Sequence, residues 1–267
     1  MNEKNKPRLS VITVNYNNAA GLEKTIGSVG SQTYDAIEFL IIDGGSKDGS
    51  KEIIEKYAAK LYYWISEPDK GIYHAMNKGI NAATGDYCLF LNSGDIFFDR
   101  HVVENALKNI DNEDIIYGNA VKIKPYYERL IKYSPKLTLY DFIKIEPALH
   151  HQASFIKKNL FDKYGQYDET IKIIADWEFF FRTIILNRAK TKYIDQTICV
   201  FEGTGLSNSL LVGNKMRIEA NLWRDNFLKM HFPDYILDDY KKLDYFLSYK
   251  PVYKKILNKI SYFRFRK

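Results

Sequence analysis

Short apolar segments alternate with amphipathic segments over the first third of the chain, and this alternation limits the possible fold more than any other feature. Four segments are apolar and of strand length, and each of the first three is followed by apolar residues at helical spacing. Strands and helices that alternate in this way form a parallel sheet with right-handed crossovers and helices on both faces. The predicted strands are 9–14, 38–42, 61–66 and 87–91.

Polar residues follow each of these predicted strands. In open parallel sheets, ligands bind outside the carboxyl ends of the strands, so we expect the residues at these ends to share one site. The later part of the chain is less regular, with predicted helices at 100–110 and 175–186 and predicted strands at 115–121, 192–194 and 200–201. The strand ends are Asn15 with Tyr16, Asp43, 67–70 and 92–95.

The composition is that of a folded protein in a reducing compartment. The 267 residues are 46% hydrophobic and 27% charged, which excludes disordered and collagen-like chains. The two cysteines, Cys88 and Cys199, lie in separate apolar segments, so neither a disulfide framework nor a cysteine zinc site is expected. Residues 1–8 lack an apolar signal segment and no stretch reaches the ~18–20 apolar residues of a membrane span, which predicts a cytoplasmic protein.

Two common nucleotide-binding motifs are incomplete or absent. Segment 44–51 has two glycines at P-loop spacing, but Ser50 stands where that motif requires a lysine to reach the phosphates. No Gly-x-Gly-x-x-Gly follows the first predicted strand, which disfavours a dinucleotide-dependent oxidoreductase.

Acids and an aromatic residue at the strand ends favour a nucleotide ligand with a divalent cation. Asp43 can accept the N–H groups of a uracil or guanine, and Tyr16 can lie against the base. Asp95 can bind a hard cation that shares diphosphate oxygens, such as Mg²⁺ or Mn²⁺. Each acid also has a plain alternative, because Asp43 can cap a turn beside Gly44 and Asp95 can be a turn residue.

Five segments resemble, in order and spacing, the family 2 glycosyltransferases, and most closely the bacterial exopolysaccharide and colanic-acid type. The resemblance covers residues 9–207 and implies a GT-A fold, a usually UDP-linked sugar donor, and transfer with inversion at the anomeric carbon. The segments are Val-Ile-Thr-Val-Asn-Tyr-Asn (11–17), Ile-Ile-Asp-Gly-Gly-Ser-Lys-Asp-Gly-Ser (41–50), Ser-Glu-Pro-Asp-Lys-Gly-Ile-Tyr-His-Ala-Met-Asn-Lys-Gly (66–79), Phe-Leu-Asn-Ser-Gly-Asp (90–95) and Asp-Trp-Glu-Phe-Phe-Phe-Arg (176–182).

The resemblance assigns the donor side. Asp95 matches the last acid of the family's metal-binding Asp-x-Asp-Asp element and implies Mg²⁺ or Mn²⁺ as cofactor. The chain departs from that element at Asn92 and Gly94, where acids are common, and at His74, where relatives tend to have aspartate. The donor-binding assignments are Val14 through its backbone, Tyr16, Asp43, Lys70, Asn92, Ser93 and, in the late loop 203–207, Ser207.

Asp176 matches the family's catalytic base. An inverting transfer needs a base on the acceptor side and charge stabilisation on the diphosphate side, and Asp176 begins an aromatic helix whose dipole favours an ionised carboxylate. A plain N-cap aspartate is the alternative. His151 and Trp177 are the predicted acceptor contacts, although a tryptophan here can also be a core residue and a histidine pair without metal spacing is weak evidence.

The C-terminal segment concentrates the positive charge. The chain carries +6 overall; nine basic residues against Asp244 give +8 to residues 241–267, which leaves −2 for residues 1–240. Interleaved aromatic residues suggest an interfacial helix on anionic lipid, with a helix packed on its own domain as the alternative. We predict a GT-A domain over 7–214 and a helical, basic membrane-association segment over 215–267, and we expect no nucleic-acid partner because no known module is present.

The sequence therefore predicts an inverting hexosyl- or N-acetylhexosaminyltransferase, peripheral on the inner face of the membrane, that acts on a lipid-linked glycan in bacterial surface polysaccharide synthesis. Two rivals remain open. One is a nucleotide-sugar-binding subunit with weak catalysis, suggested by the few acids at 92–95. The other is a sugar-nucleotide nucleotidyltransferase, which would need a Gly-rich loop with a basic residue where 15–18 reads Asn-Tyr-Asn-Asn.

Overall fold

The computed structural model describes residues 6–108, 110–124, 126–143, 148–203, 213–234, 236–239 and residue 242. Within these ranges, nine strands form one sheet in the order β3-β2-β1-β4-β8-β6-β9-β5, and β7 pairs with β6 outside that path. The strands are β1 Leu9–Asn15, β2 Ile37–Asp43, β3 Tyr63–Ser66, β4 Tyr87–Phe90, β5 Ile96–Phe97, β6 Ile115–Lys124, β7 Tyr127–Ile131, β8 Ser154–Lys157 and β9 Thr191–Glu202.

Eight α-helices accompany the sheet in the described ranges. The seventh continues into a π-helical turn, Phe181–Leu186, and a short 3₁₀ turn, His151–Ala153, precedes β8. The α-helices are α1 Ala19–Gly30, α2 Ser50–Tyr57, α3 Ile72–Ala82, α4 Val102–Leu107, α5 Leu139–Ile143, α6 Asn159–Tyr164, α7 Ala175–Phe180 and α8 Gly213–His231.

The first half of the sheet is the parallel arrangement that the sequence predicts. Strands β3, β2, β1 and β4 all run in the same direction. Their side chains are buried on both faces of β1 and β4, as expected for a sheet covered by helices on each side. The register places Asn15, Asp43 and Ser66 side by side at the carboxyl edge.

The second half of the sheet is mixed. Strand β8 is antiparallel to both β4 and β6, so β6 runs in the same direction as β4, and β9 is parallel to β6. The carboxyl ends of β4, β6 and β9 therefore lie at the same edge. The predicted segments 192–194 and 200–201 belong to one strand, β9, whose pairing with β6 shifts register between Tyr117 and Ala120.

The starts of the first two helices are tied together by one carboxylate. Asn18 caps α1 by accepting the N–H of Gly21 at 3.2 Å. The N-cap of α2 is Gly49. Asp48 accepts the N–H of Ser50 with one oxygen and the N–H of Ala19 with the other, at 3.2 and 2.8 Å, and so fixes both helix starts beside the carboxyl edge.

Helix α8 packs on α7 through aromatic side chains. The ring of Phe227 contacts Trp177 and Phe181 with centroid distances of 6.1 and 5.4 Å, and Leu228 is buried.

The predicted division of the chain into two segments at residue 214 stays a prediction. No helix in the described ranges is long and apolar enough to cross a bilayer. The α/β class and GT-A-like sheet predicted from the sequence are confirmed, whereas residues 243–267, which hold most of the predicted interfacial helix, lie outside the described residues.

Candidate active site

Asp43 is a structural carboxylate at the end of β2. It is 0% exposed and accepts four hydrogen bonds at 2.5–3.0 Å, from the side chains of Asn15, Ser46 and Ser66 and from the backbone N–H of Ser46. Burial alone would raise the pKa of Asp43, but these donors outweigh it and lower the pKa below its ordinary value. The carboxylate thus holds β1, β3 and the loop after β2 together beneath the site.

The surface above Asp43 can hold a flat ring. Tyr16 is 68% exposed and lies over Gly44. A methyl group on Gly44 would lie 2.6 Å from Asp69 Oδ2 and 3.1 Å from the Tyr16 ring, so only glycine leaves room for both side chains. Asp69 Oδ1 accepts the N–H of Gly71 at 2.8 Å. Asp69 therefore places a second carboxylate beside Tyr16, and the base contact assigned to Asp43 stays a prediction.

Three other predicted donor residues surround this surface. Lys70 is exposed, and its backbone N–H donates to His74 Nδ1 at 3.3 Å. His74, the departure from the family pattern, thus supports the loop that carries Asp69 and Lys70. The carbonyl of Val14 accepts the N–H of Ser93 at 3.1 Å, which joins the ends of β1 and β4.

Asp95 is buried beside a turn that has few donors for its carboxylate. Gln152 Nε2 donates to Asp95 Oδ2 at 3.2 Å, and the backbone N–H of Glu202 also points to this carboxylate. Burial is the main cause that raises the pKa of Asp95 to about 7, and the negative charge of Glu202 adds to it. Asp95 is therefore a carboxylate whose charge the protein alone stabilises poorly.

Asp176 is held by three donors in the first turn of α7, where the N-cap is Ile174. Oδ1 accepts the Tyr73 hydroxyl at 3.1 Å and the N–H of Trp177 at 3.0 Å, and Oδ2 lies 2.9 Å from His151 Nδ1. Burial raises the pKa of Asp176, but the hydrogen bond from His151 leads the effects that lower it below its ordinary value. The side chain is 20% exposed, so an ionised Asp176 remains open to a ligand.

His151 links the Asp176 side of the site to the end of β4. Its Nε2 lies 3.3 Å from Asn92 Nδ2. With the amide in this orientation, Nε2 accepts from Asn92 and Nδ1 carries the hydrogen that Asp176 accepts. His151 is thus occupied on both nitrogens, and the acceptor contact predicted for it stays a prediction.

Trp177 lies in the core. It is 7% exposed, its ring stacks on Phe181 at a centroid distance of 5.2 Å, and Nε1 donates to the carbonyl of Phe142 at 3.2 Å. The core alternative stated for this residue describes its location, because no open ring face is left for a sugar. Ser207 and most of the predicted loop 203–207 lie outside the described residues.

The last residues of the aromatic motif 176–182 stabilise the fold around α7. Glu178 and Arg182 form an ion pair at 2.7 Å across one helical turn, and Arg182 also donates to the carbonyls of Tyr164, Gly165 and Gln166. This network attaches α7 to the loop after α6 and positions Asp176 from below. The sequence shows the four-residue spacing of Glu178 and Arg182, whereas the contacts to 164–166 depend on the tertiary fold.

Unpartnered polar atoms collect at this edge. In the described ranges five buried side-chain polar atoms have no hydrogen-bond partner, and three of them are Asn15 Oδ1, Asn92 Oδ1 and Gln152 Oε1. Buried polar atoms are normally paired, so this concentration indicates that bound water or a ligand supplies the partners. The same ranges contain no group of three His, Cys, Asp or Glu side chains able to hold a metal.

A divalent cation fits the residues around Asp95. The donors there are oxygen atoms, namely the Asp95 carboxylate and the orphaned amide oxygen of Gln152, and hard cations such as Mg²⁺ and Mn²⁺ prefer oxygen ligands. Two protein oxygens leave most coordination positions to diphosphate and water, which is the usual arrangement for Mg²⁺ in nucleotide sites.

Sequence reasoning missed four residues of this edge: Asp69, Tyr73, Gln152 and Glu202. Asp69 and Tyr73 lie within the recognised segment 66–79, and Gln152 follows His151 directly. For these three residues, the position inside or next to a segment already assigned to the site was the available signal. Glu202 is brought to Asp95 only by the pairing of β5 with β9.

Comparison with known proteins agrees with this geometry. Residues 10–165 match the model of glycosyl transferase family 2. An uncharacterized glycosyltransferase of Mycobacterium tuberculosis is 35% identical over 206 residues, which are 76% of this chain and 78% of that protein. A PGL/p-HBAD biosynthesis glycosyltransferase of Mycobacterium bovis is 28% identical over 212 residues, 77% of this chain and 81% of that protein.

Solved structures share the fold. TarS of Staphylococcus aureus (residues 1–349) in complex with UDP-GlcNAc superposes with a TM-score of 0.61 at 20% identity, over 73% of this chain and 58% of that longer one. The mannosyltransferase PcManGT of Pyrobaculum calidifontis, in complex with GDP-Man and Mn²⁺, has a TM-score of 0.58 at 18% identity, over 74% and 57% of the two chains. The family match and the mycobacterial relatives establish that this chain belongs to glycosyltransferase family 2.

Proposed function

We propose that this glycosyltransferase moves a hexose or N-acetylhexosamine from a UDP-linked donor to a hydroxyl group of a lipid-linked glycan, with inversion at the anomeric carbon. One observation carries the proposal. His151 and Gln152 are adjacent in the chain, yet His151 binds Asp176 and Gln152 binds Asp95. One short turn thus sets the spacing between a base and a carboxylate suited to a cation.

The two carboxylates suit opposite sides of an in-line displacement. Asp176 is ionised and partly exposed, and among the described residues Oδ2 has only His151 as a partner, which leaves a lone pair for an acceptor hydroxyl. In the transfer, the acceptor oxygen forms a bond to the anomeric carbon, its proton passes to Asp176 Oδ2, and the bond to the diphosphate breaks with its electron pair on the leaving oxygen.

The remaining contacts keep Asp176 in one orientation. Tyr73 and Trp177 occupy Oδ1, so the atom that faces the acceptor is Oδ2. On the donor side, a divalent cation bound by Asp95 would neutralise charge that develops on the leaving diphosphate. Tyr16 and Asp69 support a uracil base, since Tyr16 offers an open ring face and Asp69 a carboxylate for the imide N–H.

Release of UDP from a panel of UDP- and GDP-sugars, with Mn²⁺ and lipid-linked saccharides as acceptors, tests this proposal. We expect turnover with at least one UDP-sugar and a loss of about 100-fold or more in Asp176→Asn, the usual size of a general-base effect. UDP affinity should be unchanged in that variant because Asp176 contacts the acceptor side.

A matched control is Asp168→Asn, which removes an exposed carboxylate eight positions earlier in the chain and should leave turnover unchanged. Tight UDP binding without turnover for any donor and acceptor pair would favour the nucleotide-sugar-binding subunit and contradict the proposal.

We also propose that the enzyme works at an anionic membrane surface. Support comes from the +8 charge of residues 241–267, which lie almost entirely outside the described residues, and from the β6–β7 hairpin at the catalytic edge. There Tyr126 is 97% exposed, and Tyr127 and Leu130 are exposed beside it. Truncation after residue 240 should reduce sedimentation with vesicles that contain phosphatidylglycerol while UDP affinity stays the same; unchanged sedimentation would refute the role of the tail.

A further inference from the structure

A second carboxylate lies next to Asp95. Glu202 is the last residue of β9, and its backbone N–H and its carboxylate both lie close enough to the Asp95 carboxyl group to affect its ionisation. A methyl group on Gly94 would lie 3.9 Å from Glu202 Cδ, so the Glu202 carboxyl group lies over the turn that contains Asp95. The pairing of Ile96 with Val200 fixes this approach, because β5 begins directly after Asp95.

Two neighbouring negative charges, one of them buried, repel each other unless a cation or a proton lies between them. Glu202 is exposed, so its side chain has room to turn away into solvent, yet it leans over residue 94. The arrangement is that of a pair of acids that a positive ion would hold together.

Gln152 adds an independent observation. It is 8% exposed, its Oε1 has no partner among the described residues, and its amide contacts Asp95 Oδ2 at 3.2 Å. The two ends of an amide are alike in shape, so a rotation of the amide plane brings Oε1 to the Asp95 side. Two oxygens of an octahedral shell lie about 3 Å apart when each is ~2.1 Å from a Mg²⁺ ion, which matches the observed separation.

We propose that Glu202 and Gln152 complete a divalent-cation site with Asp95, and so supply from β9 and the 3₁₀ turn the ligands that Asn92 and Gly94 do not provide. The proposal rests on the proposed function, in which the cation binds together with the donor diphosphate. Three protein oxygens from three separate elements leave the other positions of an octahedral shell open to diphosphate oxygens and water.

Mn²⁺ binding tests the proposal without any turnover. The free Mn²⁺ signal in electron paramagnetic resonance is titrated with protein, first alone and then with saturating UDP, for wild type, Glu202→Gln and Gln152→Met. We expect each variant to weaken Mn²⁺ binding at least tenfold under both conditions. UDP affinity measured without Mn²⁺ should stay at the wild-type value, because the base contacts lie at Tyr16 and Asp69.

Glu128→Gln is the matched control. Glu128 and Glu202 both pair with Ile123, on opposite sides of β6, so the control removes the same charge from the same edge about 10 Å away, two strand spacings. It should bind Mn²⁺ like wild type, and melting temperatures should confirm that all variants fold.

Wild-type affinity for Mn²⁺ in Glu202→Gln would overturn the assignment of Glu202, and the same result in Gln152→Met would overturn that of Gln152. Absence of Mn²⁺ binding to wild type, with or without UDP, would overturn both. Failure of the proposed function looks different: wild type then binds no UDP, while Mn²⁺ alone is still retained by wild type and lost in Glu202→Gln.

Discussion

Two buried aspartates flank the end of β1, and their surroundings differ in one respect. Asp43, at the end of β2, accepts four hydrogen bonds, whereas Asp95, beyond the end of β4, receives few donors and has the carboxylate of Glu202 nearby. The pKa of Asp43 is accordingly lowered and that of Asp95 is raised to about 7. The strand-end position and burial are alike, so the number of donors decides which carboxylate stabilises the fold and which one is suited to a ligand.

The comparison predicts the largest stability effect at Asp43. Asp43→Ala leaves the donors of Asn15, Ser46 and Ser66 without an acceptor, so we expect the free energy of unfolding to fall by about 3 kcal/mol. Urea denaturation measures this loss. Ser66→Ala removes one donor only and should lower the free energy of unfolding by about 1 kcal/mol. An equal loss in both variants would contradict the view that the four donors together make Asp43 a structural carboxylate.

Asp95→Asn should show the opposite pattern. Removal of a poorly stabilised buried charge should leave the free energy of unfolding within about 1 kcal/mol of wild type or raise it. Mn²⁺-supported turnover should fall by about 100-fold, since the cation loses its charged ligand. Denaturation and kinetics on the same preparation check both halves, and a variant that unfolds as easily as Asp43→Ala would contradict the distinction.

Tyr16→Ala tests whether the nucleotide base stacks on the Tyr16 ring. Base stacking on an aromatic ring contributes about 1–3 kcal/mol, so UDP affinity should drop about tenfold while stability is retained, because the side chain is exposed. Calorimetric titration with UDP gives the affinity. Tyr62→Ala removes another exposed tyrosine, before β3 and hence at the opposite edge, and should bind UDP like wild type.

The smallest expected effect is a pH dependence of the Asp43 network. Because the folded-state pKa of Asp43 is lowered, its stabilisation is fully present above the unfolded-state value near 4 and is lost as the pH falls through the folded-state pKa. The difference in unfolding free energy between wild type and Asp43→Asn should therefore shrink below about pH 4. Urea denaturation at a series of pH values tests this, and a difference that grows toward low pH would reverse the assigned sign.

Local sequence patterns predict the first half of the sheet, in which strands and helices alternate regularly along the chain. Strands β1 to β4 alternate with helices, and the chain direction after each crossover follows from that alternation. This alternation therefore predicts that Tyr16, Asp43 and Asp95 lie at one edge of the sheet. Which of two similar aspartates would be saturated with donors does not follow, since Ser66 and Gln152 reach them from 23 and 57 residues away.

The second half of the sheet could not be predicted for the same reason, because its contacts join residues that are far apart in the chain. Strand β8 inserts antiparallel between β4 and β6, and this brings His151 to Asp176 and Gln152 to Asp95. No periodicity in the sequence encodes that insertion. Trp177 is the opposite case, in which the sequence predicts a contact that the packing does not leave open. Its motif suggests a sugar contact, whereas packing against Phe181 and Phe227 buries the ring.

The sequence by itself determined the α/β class, the parallel direction of the first four strands and the family resemblance, and it indicated Tyr16, Asp95 and Asp176 as candidate site residues, because local spacing and motif order carry that information. Only the tertiary structure decided the state of each charge. Donor counts, burial and the approach of Glu202 to Asp95 arise where strands distant in the chain meet, and electrostatic energies depend on those distances rather than on sequence position.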